Sequence, residues 1–251
     1  MCQSDADCND PNYPICDTEI QDCVAPPAQT LAGLIVDRAD GSTPVHPVEV
    51  SLLSPLTGIP TGVMTINKPD GTWFLNPLDQ EPKLVLFNAT GAASHYVDEL
   101  YDRIPCEGGC DAAILGTAVA INQGANTLNY DLAVGYTMSG TVRDEFVNPM
   151  QEVLLEIFDD VGKLIATVQT NGLGQWSLSK LRSQDYYVRT VPWTTPGYVP
   201  EIWDDKTCRQ CDVLATGDRV SIDQADRSMI DFLLEPRREL IFGSGFEEPV
   251  P

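Results

Sequence analysis

A unit of about 100 residues is written twice in this chain, and that repeat limits the folds open to it more than any other feature. Leu31-Ala32-Gly33-Leu34-Ile35-Val36-Asp37 lines up with Met138-Ser139-Gly140-Thr141-Val142-Arg143-Asp144. Asp70-Gly71-Thr72-Trp73-Phe74-Leu75 lines up with Leu173-Gly174-Gln175-Trp176-Ser177-Leu178. His95-Tyr96-Val97-Asp98-Glu99-Leu100-Tyr101-Asp102 then matches Gly197-Tyr198-Val199-Pro200-Glu201-Ile202-Trp203-Asp204. Cys106 and Cys208 follow at the same offset, each with a second cysteine, Cys110 or Cys211, close behind. Asn129-Tyr130-Asp131-Leu132 and Met229-Ile230-Asp231-Phe232-Leu233 close the two copies alike. In a chain of 251 residues, each copy is long enough to bury a core of its own.

Between these landmarks the pattern is that of strands. Val48-Glu49-Val50-Ser51-Leu52 alternates with period two, and Val153-Leu154-Leu155-Glu156-Ile157-Phe158 does so in part. Lys83-Leu84-Val85-Leu86-Phe87 and Asp185-Tyr186-Tyr187-Val188-Arg189 are short β-rich runs. Glycine and proline, 19 of each, punctuate them as turns. No segment carries a sustained helical stripe with a capping signal, beyond one turn around Val97 to Tyr101. The chain thus divides into a four-cysteine module (1–24), a proline-bearing linker (25–30), two β repeats (31–134 and 135–236) and a tail (237–251).

The charge balance, 37 acidic against 15 basic residues and a net −22, repels phosphate backbones and anionic lipid heads. Nucleic acid is therefore excluded as a partner. No stretch approaches the roughly 20 apolar residues of a membrane span. The even number of cysteines, eight in short clusters, suits an oxidising compartment and hence a secreted or cell-surface protein. Met1-Cys2-Gln3-Ser4 has neither the basic nor the apolar region of a leader, so the reading is a mature chain whose leader was replaced by Met1. Cys2 as the lipidated first residue of a lipoprotein is disfavoured because it would leave an odd number of cysteines.

The order Gly33-x-x-x-Asp37, an alternating strand, Asp70-Gly71-Thr72-Trp73-Phe74 and a closing Asp-Leu strand resembles the carboxypeptidase-regulatory-like, or transthyretin-like, domains of bacterial secreted proteins. Ser139-Gly140-Thr141-Val142, Gly174-Gln175-Trp176-Ser177-Leu178 and Tyr186-Tyr187-Val188 carry the likeness in the second copy. The resemblance covers residues 31–235 and implies a fold rather than an activity. That fold is all-β: two tandem Ig-like/transthyretin-like β-sandwich domains, preceded by a small disulfide-stapled N-terminal module. Such domains are accessory, adhesive or spacer modules. The related collagen-adhesin B-type domains often carry a lysine isopeptide bond rooted in their first strands. Leu31–Val36, Val48–Leu53 and Met138–Val142 hold no lysine, so none is expected, and the paired cysteines take over the stapling. The N-terminal cysteines resemble small four-cysteine modules of secreted proteins, and that likeness alone implies Cys2–Cys16 with Cys8–Cys23. The tail Leu240-Ile241-Phe242-Gly243-Ser244-Gly245-Phe246-Glu247 resembles short endings of exported gammaproteobacterial proteins.

Each candidate site has a bland reading beside the functional one. Cys106/Cys110 and Cys208/Cys211 read first as local disulfides, worth about 2 kcal/mol each by loop closure. A four-thiolate zinc site needs the two pairs to meet, and a redox Cys208-x-x-Cys211 needs a helix N-terminus that the acidic context does not offer. Asp98, Glu99 and Asp102, with Glu201, Asp204 and Asp205 in the matching place, are a candidate calcium set, beside the plainer reading of a hydrophilic loop over a disulfide. Asp5-Ala6-Asp7-Cys8-Asn9-Asp10 begins like a calcium loop but lacks its glycine and closing glutamate. Paired acids also raise glycoside hydrolysis, which needs a sugar cleft that a compact sandwich lacks. Trp73 and Trp176 read as core, since each shares a face with the leucine two residues on. Tyr198, Trp193 and Trp203 are candidates for a contact surface. His46 and His95 stand in no catalytic motif.

The expectation is a non-catalytic extracellular structural or adhesive binding protein. Its partners would be a protein or glycan at the cell surface, or other copies of itself, and calcium is the one cofactor to consider. Two alternatives stand beside it. One is a carbohydrate-binding accessory module of a secreted hydrolase, using Trp193 or Trp203. The other is a subunit of an extracellular filament or surface layer, in which Leu240, Ile241, Phe242 and Phe246 add a strand to a neighbour's sheet edge.

Overall fold

The computed structural model describes residues 2–4, 7–8, 15–17, 19, 21–24, 29–191 and 197–237. These fall into two compact units, Met1–Tyr136 with Ser179–Arg182, and Thr137–Leu178 with Ser183–Pro251. The fold is all-β, two β-sandwich repeats with a disulfide-bonded N-terminal segment. Trp193 and the tail residues Leu240, Ile241, Phe242 and Phe246 lie outside the described residues, as do Asp5, Ala6, Asn9 and Asp10 of the calcium-like stretch.

In the first unit, strands β1 (Ile15–Asp17) and β2 (Asp22–Val24) form an antiparallel hairpin that sets Cys16 opposite Cys23. Cys2 is bonded to Cys16 and Cys8 to Cys23, so four cysteines tie this short segment together where apolar residues are few. The sandwich follows: β3 (Gln29–Asp37), β4 (Val48–Leu53), β5 (Pro60–Ile66), β6 (Thr72–Leu78), β7 (Leu84–Ala89), β8 (Glu99–Leu100), β9 (Ile104–Pro105), β10 (Ala125–Thr127) and β11 (Tyr130–Leu132). One sheet runs β5-β4-β7-β8-β9, antiparallel throughout. The other centres on β3, with β6 antiparallel to it and β10 and β11 parallel. One apolar cluster joins both sheets, with Leu31 and Ile35 from β3, Val48, Val50 and Leu52 from β4, Trp73 from β6, Phe87 from β7 and Leu132 from β11.

The second unit repeats this plan. Its strands, of which Tyr136 and Ser179–Leu181 group with the first unit, are β12 (Tyr136–Asp144), β13 (Leu154–Phe158), β14 (Leu164–Gln169), β15 (Gln175–Leu181), β16 (Asp185–Thr190), β17 (Glu201–Ile202), β18 (Lys206–Thr207), β19 (Val220–Ser221) and β20 (Phe232–Leu234). One sheet runs β14-β13-β16-β17-β18 with β19 also on β16, and the other runs β15-β12-β20. Strands β3 and β12 share the same burial pattern, with Leu31 and Ile35 matched by Met138 and Val142. Gly33 and Gly140 stand midway on these strands. A Cβ there would lie 1.9 Å from the Leu128 carbonyl oxygen and 1.8 Å from that of Ile230, so both positions require glycine. Trp73 and Trp176 are buried, and Trp176 Nε1 donates to the Ile230 carbonyl at 3.2 Å.

Two readings of the sequence need correction. Val97 to Tyr101 is no helical turn, because Glu99 and Leu100 pair with Phe87 and Leu86 as strand β8. The α-helical turns are α1 (Ala112–Leu115) and α2 (Val213–Thr216), each just after the second cysteine of its loop, and Gly91–Ala93 forms a 3-10 turn. Asp111 caps the first by accepting from Ile114 N, and Asp212 caps the second by accepting from Leu214 N and Ala215 N. The closing segments also align two residues away from the sequence match. Asn129 Oδ1 accepts from Leu34 N at 3.0 Å, and Asp231 Oδ1 accepts from Thr141 N at 2.7 Å. Asp231 is therefore the counterpart of Asn129, and Asp131 is the counterpart of Leu233. A shift of two preserves which residues face the core, so alternation alone does not reveal it.

Candidate functional site

The loop cysteines pair locally, Cys106 with Cys110 and Cys208 with Cys211. Each cystine covers a small apolar cluster on its sheet. Leu53, Leu84, Leu100 and Ala112 surround Cys106, and Phe158, Tyr187, Ile202 and Val213 surround Cys208. Among the described residues, Cys2, Cys8 and Cys23 form the one group of three ligand atoms within 4.8 Å of one another, and all three are in disulfides.

The six carboxylates of the candidate calcium set take different places. Asp102 and Asp204 are exposed, and Asp98 Oδ1 accepts from Ala89 N at 2.9 Å. Glu99 and Glu201 are both buried, at matching points: Glu99 lies opposite Pro105 and Glu201 opposite Thr207, each where its strand turns back. Their surroundings differ in charge.

Around Glu99 the first unit builds a balanced network. The Arg38 guanidinium donates to Glu99 Oε2, and through Nε to Asp131 Oδ1 at 2.6 Å. The Tyr130 hydroxyl donates to Glu99 Oε2 at 2.9 Å, and its oxygen accepts from Arg103 N at 2.8 Å. Arg103 also pairs with Asp131. Burial pushes the Tyr130 phenol far up, and the Glu99 charge adds to it. Burial opposes ionisation of Asp131, yet Arg38 and Arg103 hold its carboxyl below the usual range. Tyr130 stacks on Phe87 with ring centroids 4.0 Å apart, which fixes the hydroxyl over the glutamate.

Around Glu201 every one of these partners is exchanged. By the strand registers, Glu145 stands where the first unit has Arg38, Asp205 replaces Arg103, Phe232 replaces Tyr130, and Leu233 replaces Asp131. Glu201 N donates to Thr190 Oγ1 at 2.9 Å, but among the described residues its buried side-chain Oε2 finds no hydrogen-bond partner. Glu145, Val199, Glu201, Asp205, Thr207, Leu233, Glu235 and Pro236 line a pocket of about 500 Å³. Four of these residues are acidic and none is basic. Burial, reinforced by the charges of Asp205 and Glu235, pushes the Glu201 carboxyl up to about 7. This pocket is the candidate functional site. Sequence reasoning found Glu201 and Asp205 but missed Glu145 and Glu235. The readable signal was the exchange of Arg38 for Glu145 just after the matching aspartates Asp37 and Asp144.

Of the candidate contact residues, Tyr198 and Trp203 are half-buried. Trp203 lines a shallow groove with Arg143, Asp204 and Asp205, and the Tyr198 carbonyl accepts from Arg237 Nε at 2.8 Å. His46 Nδ1 lies 2.9 Å from the Asn67 carbonyl oxygen, and His95 lies against the Tyr96 ring. The larger sheets end in β5 and β14, where Met64, Ile66 and Leu164 are exposed. Among the described residues, no helix is long and apolar enough to cross a membrane.

No family model matches the sequence, and no curated protein matches it. Among solved structures the chain is similar to the Bacillus anthracis TIE protein, at 16% identity and a TM-score of 0.30. That match covers 83% of this chain and 34% of the other, so the chain spans about a third of that protein's length. It is also similar to the shaft pilin SpaA from Lactobacillus rhamnosus GG, at 11% identity over 85% of this chain and 99% of that one, with a TM-score of 0.36. The minor pilin GBS52 of Streptococcus agalactiae is similar at 11% identity over 89% and 98% of the two chains, with a TM-score of 0.32.

Proposed function

We propose that this chain is a non-catalytic extracellular structural protein that assembles through the open edges of its sandwiches. One observation carries the reading: among the described residues, both repeats leave the same edge strand, β5 or β14, without a neighbour on one side. Thr61–Ile66 and Leu164–Gln169 carry no charged side chain, and their outward residues include Met64, Ile66 and Leu164. Edge strands of ordinary monomers are guarded by charge or covered, because an open row of N–H and C=O groups recruits another strand. Pro60 and a register shift blunt one end of β5, and a register shift blunts one end of β14, but no described strand pairs with the rest of either edge. Local cystines suit such a role outside the cell, where they stiffen each unit against mechanical and proteolytic opening. The strand donor in this reading is the apolar tail Leu240–Phe246 of a neighbouring copy.

The test is sedimentation and electron microscopy of the full chain over a range of concentration, beside a chain ending at Arg237 and beside Met64→Lys/Thr167→Lys. Assembly that is lost on truncation and on placing lysines at the edges supports the proposal. A parent chain that stays monomeric, or assembly indifferent to both changes, refutes it.

A further inference from the structure

We propose that the acidic pocket around Glu201 receives an arginine side chain from another polypeptide, in the place that Arg38 fills from within in the first repeat. This goes beyond assembly through strand edges and does not depend on it.

Three observations carry it. Glu201 is 7% exposed, and among the described residues its Oε2 has no partner, while the matching Glu99 shares its Oε2 with the Arg38 guanidinium and the Tyr130 hydroxyl. A buried carboxylate without a partner is costly, so such a pocket favours a cation strongly. The second observation is the exchange of both arginines for acids, Arg38 for Glu145 and Arg103 for Asp205, which removes the internal cation and leaves Glu235 and Asp205 beside the same opening.

The third observation separates an arginine from a metal ion. Among the described residues, no three carboxylates of the pocket bring their oxygens within 4.8 Å of one another, whereas a calcium ion gathers its oxygens at about 2.3–2.6 Å from one centre. A pocket of about 500 Å³ lined by four acidic residues suits a planar guanidinium, which forks between separate oxygens as Arg38 forks between Glu99 and Asp131. The net charge of −22 favours a basic partner over a second copy as its source.

The probe is N-acetylarginine methylamide, titrated into the full chain at pH 8 and followed by amide chemical shifts. The expected result is a saturable shift confined to Glu201, Asp205, Thr207, Glu235 and their neighbours. Glu201→Gln, which keeps the shape, should weaken binding about tenfold, as expected for losing one charge-assisted pair. Glu145→Arg should fill the pocket from inside, abolish probe binding and raise the melting temperature. Shifts that spread over the acidic surface and persist in Glu201→Gln overturn the proposal. So does calcium chloride that moves these amides at about 1 mM, within the range of extracellular calcium sites, while the arginine probe does not.

Discussion

Glu99 and Glu201 occupy matching points of equivalent ladders, yet among the described residues only Glu99 meets a guanidinium. One repeat therefore closes its charge internally, and the other leaves a buried carboxylate at the floor of an acidic pocket. The difference has thermodynamic consequences on both sides.

In the second unit, the Glu201 carboxyl is pushed up to about 7 from an ordinary 4.5. Because the folded value is the higher one, the folded chain holds more protons between these limits, and stability falls as the pH rises from 4.5 to 7. Among the described residues the charged groups facing it, Asp205, Glu235 and Glu145, are all acidic, so none of them offsets the trend. Glu201→Gln should flatten this part of the profile and be more stable than the parent at pH 8 by about 2 kcal/mol. Urea unfolding at pH 4.5, 6 and 8 checks it, and identical slopes for the two proteins would refute it.

In the first unit, Arg38→Met should strand Glu99 and destabilise the fold by about 3 kcal/mol at pH 7. Adding Glu99→Gln should recover part of that loss. A double-mutant cycle by chemical denaturation reads the coupling, which should exceed about 1 kcal/mol. Additive effects would mean that the pair is a surface contact of little worth.

Gly33→Ala and Gly140→Ala should each cost about 2 kcal/mol or more, because the new methyl meets a strand carbonyl that cannot step aside. Gly41→Ala, at a positive φ but with nothing within 4 Å, should cost less. Melting temperatures of the three variants separate steric conflict from backbone conformation.

Asp111→Ala and Asp212→Ala should each cost about 1 kcal/mol by leaving the first N–H groups of α1 or α2 without a cap. The loss should appear in thermal unfolding while the cystine beside each turn stays intact. Unchanged melting in both would show that the disulfide alone holds the turn.

The sequence by itself determined that one β unit occurs twice, because Gly33/Gly140, Trp73/Trp176 and Cys106/Cys208 are local necessities. A close backbone approach admits only glycine, and a core indole needs its fixed place on the strand. The capped turns were also legible in principle, since Cys110-Asp111 and Cys211-Asp212 are each followed by a glycine at the same distance, Gly116 or Gly217. Tertiary structure alone decided that Arg38 reaches Glu99 and that Glu145 cannot serve Glu201. It also decided that Asp231 answers Asn129 rather than Asp131. Period-two alternation is unchanged by a shift of two residues, and the partners of a buried charge lie far apart along the chain. Only strand register brings them together.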